Sequence, residues 1–253
     1  MKTKTALGKW IYALAPFIML VLVFVALQVV VRAFGIPSYL MASPTDSFLY
    51  IVHNFDRVAQ NCAVSLKNYL IGYPLGIILG MTLAFIFSSH VKIKKAFQPY
   101  LTLLSCVPGM ILVPLFKIWF GLSEIVNVLI CMLSCFSTIC GNTMLGMSNV
   151  PEERMELVKT VKGSKLQAFT HIVIPSALPY VFTGLKLGSI FALSGVIGSE
   201  LVGSMRGIGY EISWDNAFFH IDALFGYVYI LMVLGFVVFS LLSALETRLL
   251  HND

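Results

Sequence analysis

The chain has 253 residues, of which 58% are hydrophobic and only 11% are charged, and its mean hydropathy is +0.88. A soluble domain carries about a quarter charged residues. This composition therefore excludes an ordinary soluble domain and predicts an all-α integral membrane protein. The formal charge of +5 is divided among short groups of Lys and Arg between apolar runs. Because no continuous basic patch forms, nucleic acid is not a predicted partner.

Uncharged runs that are long enough to cross about 30 Å of hydrocarbon recur along the whole chain. We predict a single transmembrane domain over residues 1–253. A short helix is predicted to begin after Pro44, and residues 204–222 are predicted to form a loop. The predicted spans are six: residues 10–31, 61–88, 96–119, 125–145, 178–203 and 223–245.

The third predicted span contains three prolines, Pro99, Pro108 and Pro114. Proline lacks a backbone N–H and bends a helix, and the backbone groups that it frees need partners that lipid cannot supply. This span is therefore predicted to be bent and buried in the helix bundle.

The positions of Lys and Arg in the short loops predict the orientation in the membrane. One side carries Lys2, Lys4, Lys9, Lys92, Lys94, Lys95, Arg154, Lys159, Lys162, Lys165 and Arg248, and the other carries Arg32, Arg57, Lys117 and Arg206. Both termini are therefore predicted to be cytoplasmic. The same rule assigns residues 146–175, the longest loop on that side, to the cytoplasm.

Small residues recur every three or four positions in two of the spans, which predicts close helix contact. They are Gly72, Gly76, Gly80 and Ala84 in the second span, and Gly184, Gly188, Ala192, Gly195, Ser199 and Gly203 in the fifth.

Three ionisable residues, Lys67, Lys186 and Glu200, lie within predicted spans. An ionised group that faces lipid at the membrane centre costs at least about 2.5 kcal/mol. Each is therefore predicted to face a water-filled translocation path or a partner helix. The alternative is that each lies close enough to a membrane surface to reach the headgroups.

The five cysteines all lie in apolar sequence, and two of them, Cys131 and Cys135, are one helical turn apart. No His or acidic residue lies near enough in the sequence to complete a metal site. We therefore predict that the cysteines pack, and we predict neither a metal nor a cofactor in this chain.

Residues 146–175 contain signals for two short helices. Asn149 is predicted to cap the first, with Glu152 at the third helical position and Pro151 in the first turn. Gly163 ends that helix, and Ser164 with Gln167 predicts a second capping box. Two capped helices joined by a glycine turn predict a firm cytoplasmic projection.

The same loop resembles the membrane subunits of the ABC importers for nitrate, sulfonates, taurine and vitamin precursors. Their pattern is Glu-Ala-Ala, a glycine six positions after the Glu, and an Ile-x-Leu-Pro ending. Glu156 matches the Glu, and Ile172, Ile174 and Pro175 match the ending. The departures are Leu157 and Val158 at the alanines and Lys162 at the glycine, with Gly163 directly after it.

The resemblance covers most of the chain. It includes SLKNYLIGYPLG from Ser65, VPGMILVPLFKIWFG from Val107, GLKLG from Gly184, and SELVGSMRGIGYEI, which ends at Ile212. It implies a type I ABC importer permease fold with six transmembrane helices and a cytoplasmic coupling-helix loop. The partners that it implies are a second permease copy in a homodimer, two ABC ATPase subunits and an extracytoplasmic solute-binding protein.

The resemblance also assigns roles to residues of this chain. The residues implied to couple to the ATPase are Glu152, Glu153, Glu156, Lys162, Gly163, Ser164, Ile172 and Pro175. Arg206, Gly207 and Gly209 are predicted to lie in an extracytoplasmic loop that faces the solute-binding protein, and a plain structural turn is the alternative. The sequence has no Gly-rich phosphate loop ending in Lys-Ser/Thr, so ATP and Mg are expected on the partner ATPase and this chain is expected not to be an enzyme.

The solute and two rival classes stay open at this point. Lys67 and Lys186 favour an anion such as a sulfonate or nitrate, and a thiamine- or riboflavin-type vitamin precursor is the alternative. An ion-coupled secondary transporter would predict transport without an ATPase, and an intramembrane enzyme would need a nucleophile beside a base or a metal cluster, which the sequence does not offer.

Overall fold

The computed structural model describes residues 6–151, 153 and 164–250, with the backbone alone for residues 6–17, 91, 165 and 166. Every regular element in these ranges is helical, as the composition predicted. The helices are α1 (Ala6–Ala33), α2 (Pro44–His53), α3 (Phe55–Ser88), α4 (Val91–Cys106), α5 (Val113–Phe120), α6 (Glu124–Ser148), α7 (Lys165–Ala168), α8 (Ile174–Leu201), α9 (Ile208–Ala217) and α10 (Ile221–Leu250). A 3-10 turn covers Gly109–Leu112, and a π-helical turn covers Phe169–Val173.

Four helical segments in the described ranges are long and apolar enough to cross a membrane. They are α3, α6, α8 with its π-helical turn, and α10. The α4–α5 pair is a fifth candidate if its two arms form one span, and the described apolar part of α1, Ile18–Ala33, is shorter. The all-helical membrane fold is therefore confirmed, whereas the count of six spans stays a prediction, as does the single domain.

Two predicted loops contain more helix than expected. The helix predicted after Pro44 is confirmed as α2, and Ser43 caps it by accepting a hydrogen bond from the Asp46 N–H at 3.3 Å. However, α3 already begins at Phe55, before the predicted span, and Asp56 in its first turn favours a helix start there. The loop predicted at residues 204–222 contains α9, whose first N–H groups bond to side chains distant in sequence.

The bend that the prolines predicted in the third span is confirmed. α4 ends at Cys106, Pro108 follows, and the axes of the two arms differ by 80°. The prediction of burial is wrong for the single chain, because Leu103 and Ile111 are each 65% exposed. The break therefore lies on a face that neighbouring helices of the same chain do not cover.

The chain divides into two compact units. The first contains the described residues up to Val58 together with Trp214–Ile230. Gln28 and Arg32 of α1 donate hydrogen bonds to the Thr45 hydroxyl at 3.0 and 3.2 Å. α10 packs against α2, since a Cβ added at Gly226 would lie 3.3 Å from the Ser47 carbonyl oxygen.

The second unit contains residues 59–213 and α10 from Leu231. Its core lies on α6, where Cys131, Cys135 and Ile139 are completely buried. The two stripes of small residues press against this helix, which confirms the predicted close contact. A Cβ at Gly76 would lie 2.2 Å from the Cys135 sulfur, and one at Gly188 would lie 2.8 Å from the Ile139 side chain.

We predict that a methyl group at Gly80 weakens the contact between α3 and α6. A Cβ there would lie 2.7 Å from the Phe136 carbonyl oxygen. A backbone atom cannot rotate away from this contact as a flexible side chain can. Gly80→Ala should cost about 1–3 kcal/mol of stability, the usual cost of overpacking. Thermal unfolding of the purified protein in detergent measures it.

Gly141→Ala is the matched control, because nothing lies within 4 Å of a Cβ at this helical position. Its stability should stay the same or rise by up to about 1 kcal/mol, because alanine favours a helix more than glycine does. Equal melting temperatures for the two variants would show that the α3–α6 contact is looser than described.

Candidate functional site

A buried carboxylate lies where α8 ends. Glu200 is 0% exposed, one residue before the end of the helix. Its carboxylate accepts hydrogen bonds from the Ser65 hydroxyl at 2.7 Å, the Asn68 amide at 3.3 Å and the Gly209 N–H at 3.1 Å. Three donors from two other segments of the chain therefore satisfy this acid inside the protein.

The same cluster satisfies the beginning of α9. The first N–H groups of a helix have no partner within it. Here the Gly207 N–H donates to Asn61 Oδ1 and the Ile208 N–H donates to Ser65 Oγ, each at 2.8 Å. The Asn61 amide in turn donates to Glu211 Oε1 at 2.7 Å. Side chains of α3 thus fix both the carboxylate and the helix that follows it.

Glycines make this close approach possible. Gly207 has φ +109°, a conformation that other residues rarely adopt. A Cβ on it would lie 2.3 Å from the Glu200 carboxyl carbon. A Cβ on Gly209 would lie 2.3 Å from the Ile197 carbonyl oxygen. Of the three residues predicted to face a solute-binding protein, two are therefore buried, and Arg206 alone is exposed.

A second polar contact holds the other side of the turn. Asn127 Oδ1 of α6 accepts hydrogen bonds from the hydroxyls of Ser199 at 2.7 Å and Ser204 at 3.2 Å. Asn127 and Ser204 also line a cleft of about 200 Å³, together with Glu124 and Arg206. The turn between α8 and α9 therefore borders a polar cleft.

Both lysines that were predicted within the spans form ion pairs. Lys67 contacts Glu124 at 2.7 Å, and this pair is exposed, with side-chain exposures of 61% and 48%. Lys186 contacts Glu246 of α10 at 2.6 Å, with exposures of 19% and 22%. Glu200 is separate from both pairs. The assignment of these three residues to a translocation path stays a prediction.

A larger cavity, of about 400 Å³, lies where the break between α4 and α5 meets α6 and α8. Its lining includes Pro108 and Gly109 at the break itself. Most of its lining is apolar, several of its side chains carry hydroxyl groups, and no charged side chain of the described ranges lines it. The residues with hydroxyls are Ser105, Ser134, Ser137, Thr138 and Ser194. The cavity offers neutral hydrogen-bonding groups at the depth of the spans.

The predicted coupling loop lies partly outside the described residues. Glu152, Glu156, Lys162 and Gly163 are not described, and Glu153 is exposed. The second capping box is confirmed, because the Gln167 N–H donates to Ser164 Oγ at 3.2 Å and the Ser164 N–H donates to Gln167 Oε1 at 2.8 Å.

The loop was predicted to extend to Pro175, but helical structure continues through this position. Ile172 is half-buried in the π-helical turn, and Pro175 lies in the first turn of α8. The Ile174 N–H bonds to the Phe169 carbonyl, so the turn lengthens the helix by one residue just before the proline, which has no N–H to donate. Helical structure therefore continues from Lys165 to Leu201.

Several residues of these sites escaped the sequence reasoning. Asn61, Ser65 and Asn68 bind the carboxylate and the turn, and they recur at helical spacing on one face of α3. Ser134, Ser137 and Thr138 lie at positions i, i+3 and i+4 of α6. Polar residues three or four positions apart inside an apolar span were the available signal.

The helical fold with several long apolar segments defines the class of the chain as an integral membrane protein. The family described as "Binding-protein-dependent transport system inner membrane component" matches residues 72–251, and the chain belongs to this family. It is therefore a multi-pass inner-membrane component.

Similar proteins agree with this family. The formylaminopyrimidine transport permease protein ThiX of Halalkalibacterium halodurans is 28% identical over 94% of this chain and 95% of its own length. The putative aliphatic sulfonates transport permease protein SsuC of Bacillus subtilis is 28% identical over 74% of this chain and 68% of its own. A crystal structure of an amino acid ABC transporter with histidines has a TM-score of 0.68 at 17% identity, covering 79% of this chain and 98% of that one. The structural likeness establishes the type of fold.

We predict that the Lys186–Glu246 pair holds α8 to α10. Lys186→Glu or Glu246→Lys alone should destabilise the protein, because each leaves like charges together in a poorly solvated place. The double exchange should recover stability, with a coupling energy of about 0.5–3 kcal/mol in a double-mutant cycle. Thermal unfolding in detergent measures each variant.

The exposed Lys67–Glu124 pair serves as the control cycle. Solvent screens this pair, so its coupling energy should be only about 0–1 kcal/mol. A larger coupling for the exposed pair than for Lys186–Glu246 would contradict the assignment.

Proposed function

We propose that the chain is the membrane-spanning permease subunit of an ATP-driven ABC importer, which passes a small solute from a solute-binding protein into the cytoplasm. The observation that carries the proposal is the family match over residues 72–251. ATP and Mg bind two separate ATPase subunits, so this chain contributes no catalytic residue. Both termini lie on the cytoplasmic side, in keeping with the distribution of Lys and Arg.

The loop of residues 146–175 couples the permease to the ATPase. Two contacts support this role by holding the base of the loop together. Asn149, at the end of α6, donates a hydrogen bond to the Tyr180 hydroxyl at 3.1 Å, and a Cβ on Gly146 would lie 2.7 Å from the Tyr180 Cβ. The capping box of Ser164 then starts a helix that runs into α8. Movement of the loop therefore passes directly into a span.

A second copy of the chain completes the permease as a homodimer. The break between α4 and α5 supports this, since irregular backbone within a membrane requires protein or water beside it and not lipid. Val107 is 46% exposed at this break within the single chain. The facing copy, together with water in the path, supplies what the chain lacks there.

The translocation path follows the hydroxyl-lined cavity at this break. The cavity combines hydroxyls of three helices with the irregular segment around Pro108 and Gly109. Lys67 and Lys186 lie on the path only as parts of ion pairs, since each already has a carboxylate partner. The interaction with the solute is therefore proposed to be made mainly by neutral groups.

The solute is a sulfonate, nitrate or similar small anion, with a vitamin precursor as the second candidate. The two lysines that favoured an anion form ion pairs with Glu124 and Glu246. Their charge therefore no longer favours an anion over a vitamin precursor. The relative for aliphatic sulfonates supports the first candidate. The formylaminopyrimidine relative, which matches more of the chain, and the uncharged cavity lining support the second.

We predict that Glu156→Lys abolishes both ATP-driven uptake and copurification with the ATPase subunit. The substitution reverses the charge of the residue that matches the coupling motif. Membrane insertion should be unchanged, because the predicted spans are untouched. Copurification and uptake by proteoliposomes are the measurements.

Thr247→Lys is the control, because it adds positive charge near the end of α10 outside the loop. It should keep both activities. Normal uptake by Glu156→Lys would contradict the coupling role, and uptake by the chain without any ATPase would favour a secondary transporter.

We predict that a thiol reagent modifies Cys106 in the assembled complex at a rate that depends on ATP. Cys106 lines the hydroxyl cavity and is exposed, whereas Cys131, Cys135 and Cys140 are buried. Labelling should differ at least about tenfold between the nucleotide-free and the ATP-trapped complex, which corresponds to about 1.4 kcal/mol.

Cys106→Ser should remove this state-dependent labelling and keep uptake. A constant rate in both states would contradict the assignment of the cavity to the path.

A further inference from the structure

We infer that Glu200 is a positioning residue of the transport cycle. Its carboxylate fixes the turn between α8 and α9, residues 203–209, and this turn presents Met205 and Arg206 to the solute-binding protein. The inference rests on the proposed function, and it gives Glu200 a different task from carrying charge along the translocation path.

The location of the Glu200 carboxylate supports a role in stabilising the turn between α8 and α9. A negative charge is unfavourable in the last turn of α8, where the helix dipole is also negative. At the beginning of α9 the dipole has the opposite sign, and there the Gly209 N–H donates to the same carboxylate. Glu200 thus stabilises the helix that follows it more than the helix that contains it.

The exposed part of the turn is held on both sides. Ser204 is bound to Asn127 of α6, and the Gly207 N–H is bound to Asn61 of α3. Between these two anchors lie only Met205, which is 71% exposed, and Arg206, which is also exposed. A cationic and an apolar side chain on a fixed base form a small docking point for a partner with an acidic surface beside an apolar one.

Burial argues against direct contact between Glu200 and the solute. The residue is 0% exposed, and the backbone of Gly207 and Gly209 leaves no room for even a methyl group beside its carboxylate and Cβ. A solute could reach the carboxylate only by opening the turn. The acid therefore acts through the turn.

Two substitutions distinguish the hydrogen-bond acceptors of Glu200 from its negative charge. Glu200→Gln removes the charge but keeps an oxygen that can accept from Ser65 and Gly209. Its new NH₂ group then faces Asn68, whose Oδ1 accepts no hydrogen bond in the described ranges, so that rotation of the Asn68 amide restores the contact. Glu200→Met has a similar size but leaves all three donors unsatisfied.

The experiment uses the reconstituted complex of permease, ATPase subunits and solute-binding protein in proteoliposomes. Uptake is measured against the concentration of solute-loaded binding protein, with basal ATP hydrolysis as the check on assembly. Glu200→Met should raise the half-saturating concentration about tenfold, equivalent to about 1.4 kcal/mol. Maximal uptake and basal hydrolysis should stay within about twofold, and Glu200→Gln should resemble the wild type.

Hydrogen exchange reports whether the turn between α8 and α9 keeps its hydrogen bonds. The amides of Gly207, Ile208 and Gly209 should exchange faster in Glu200→Met and at the wild-type rate in Glu200→Gln. Ser65→Ala, which removes one hydroxyl of the cluster, is the second variant if Glu200→Met fails to assemble. Like Glu200→Met, it should speed the exchange of these amides and raise the half-saturating concentration of the binding protein.

Equal loss of maximal uptake in the Gln and Met variants, with unchanged half-saturation, would overturn the inference, since charge would then matter. Unchanged exchange in both Met and Ser65→Ala variants would also overturn it. A wild-type complex without uptake driven by ATP would instead refute the proposed function, and the exchange measurement would still test the turn.

Discussion

Polar groups inside a membrane must find partners within the protein, and most of the structure around the functional site follows from this constraint. Glu200 brings a carboxylate to the end of α8, and the unpaired N–H groups at the start of α9 need acceptors. Each requirement satisfies the other, with Asn61 and Ser65 of α3 completing the set. The result is a defined turn with a polar interior.

The same constraint accounts for the different kinds of contact at the middle and at the ends of the helices in the second unit. In the middle, α6 is contacted by glycines of α3 and α8, and packing of backbone against side chains holds the helices together. Hydroxyl groups appear where α4 and α5 break and regular helix is lost. Lys67 and Lys186 each pair with a carboxylate, so neither lysine is an isolated charge.

Sequence reasoning predicted much of this architecture. Hydropathy found the four long apolar helices α3, α6, α8 and α10, and glycine spacing found the contacts with α6. The capping box at Ser164 has the predicted geometry. It could not find α9, because Asn61 and Ser65, which accept hydrogen bonds from the start of this helix, lie more than a hundred residues away in sequence. It also placed Glu200, Lys67 and Lys186 in one class, because composition shows that a charge is present and not which partner it has.

The unbroken helical run from Lys165 to Leu201 has a consequence for how the two faces of the membrane communicate. At about 1.5 Å per residue the run is roughly 55 Å long, which exceeds the thickness of the hydrocarbon layer. One end adjoins the segment proposed to meet the motor, and the other ends at the turn that Glu200 fixes. Under the proposed function, this one continuous run would connect the binding of the solute-binding protein on one side of the membrane with ATP hydrolysis on the other.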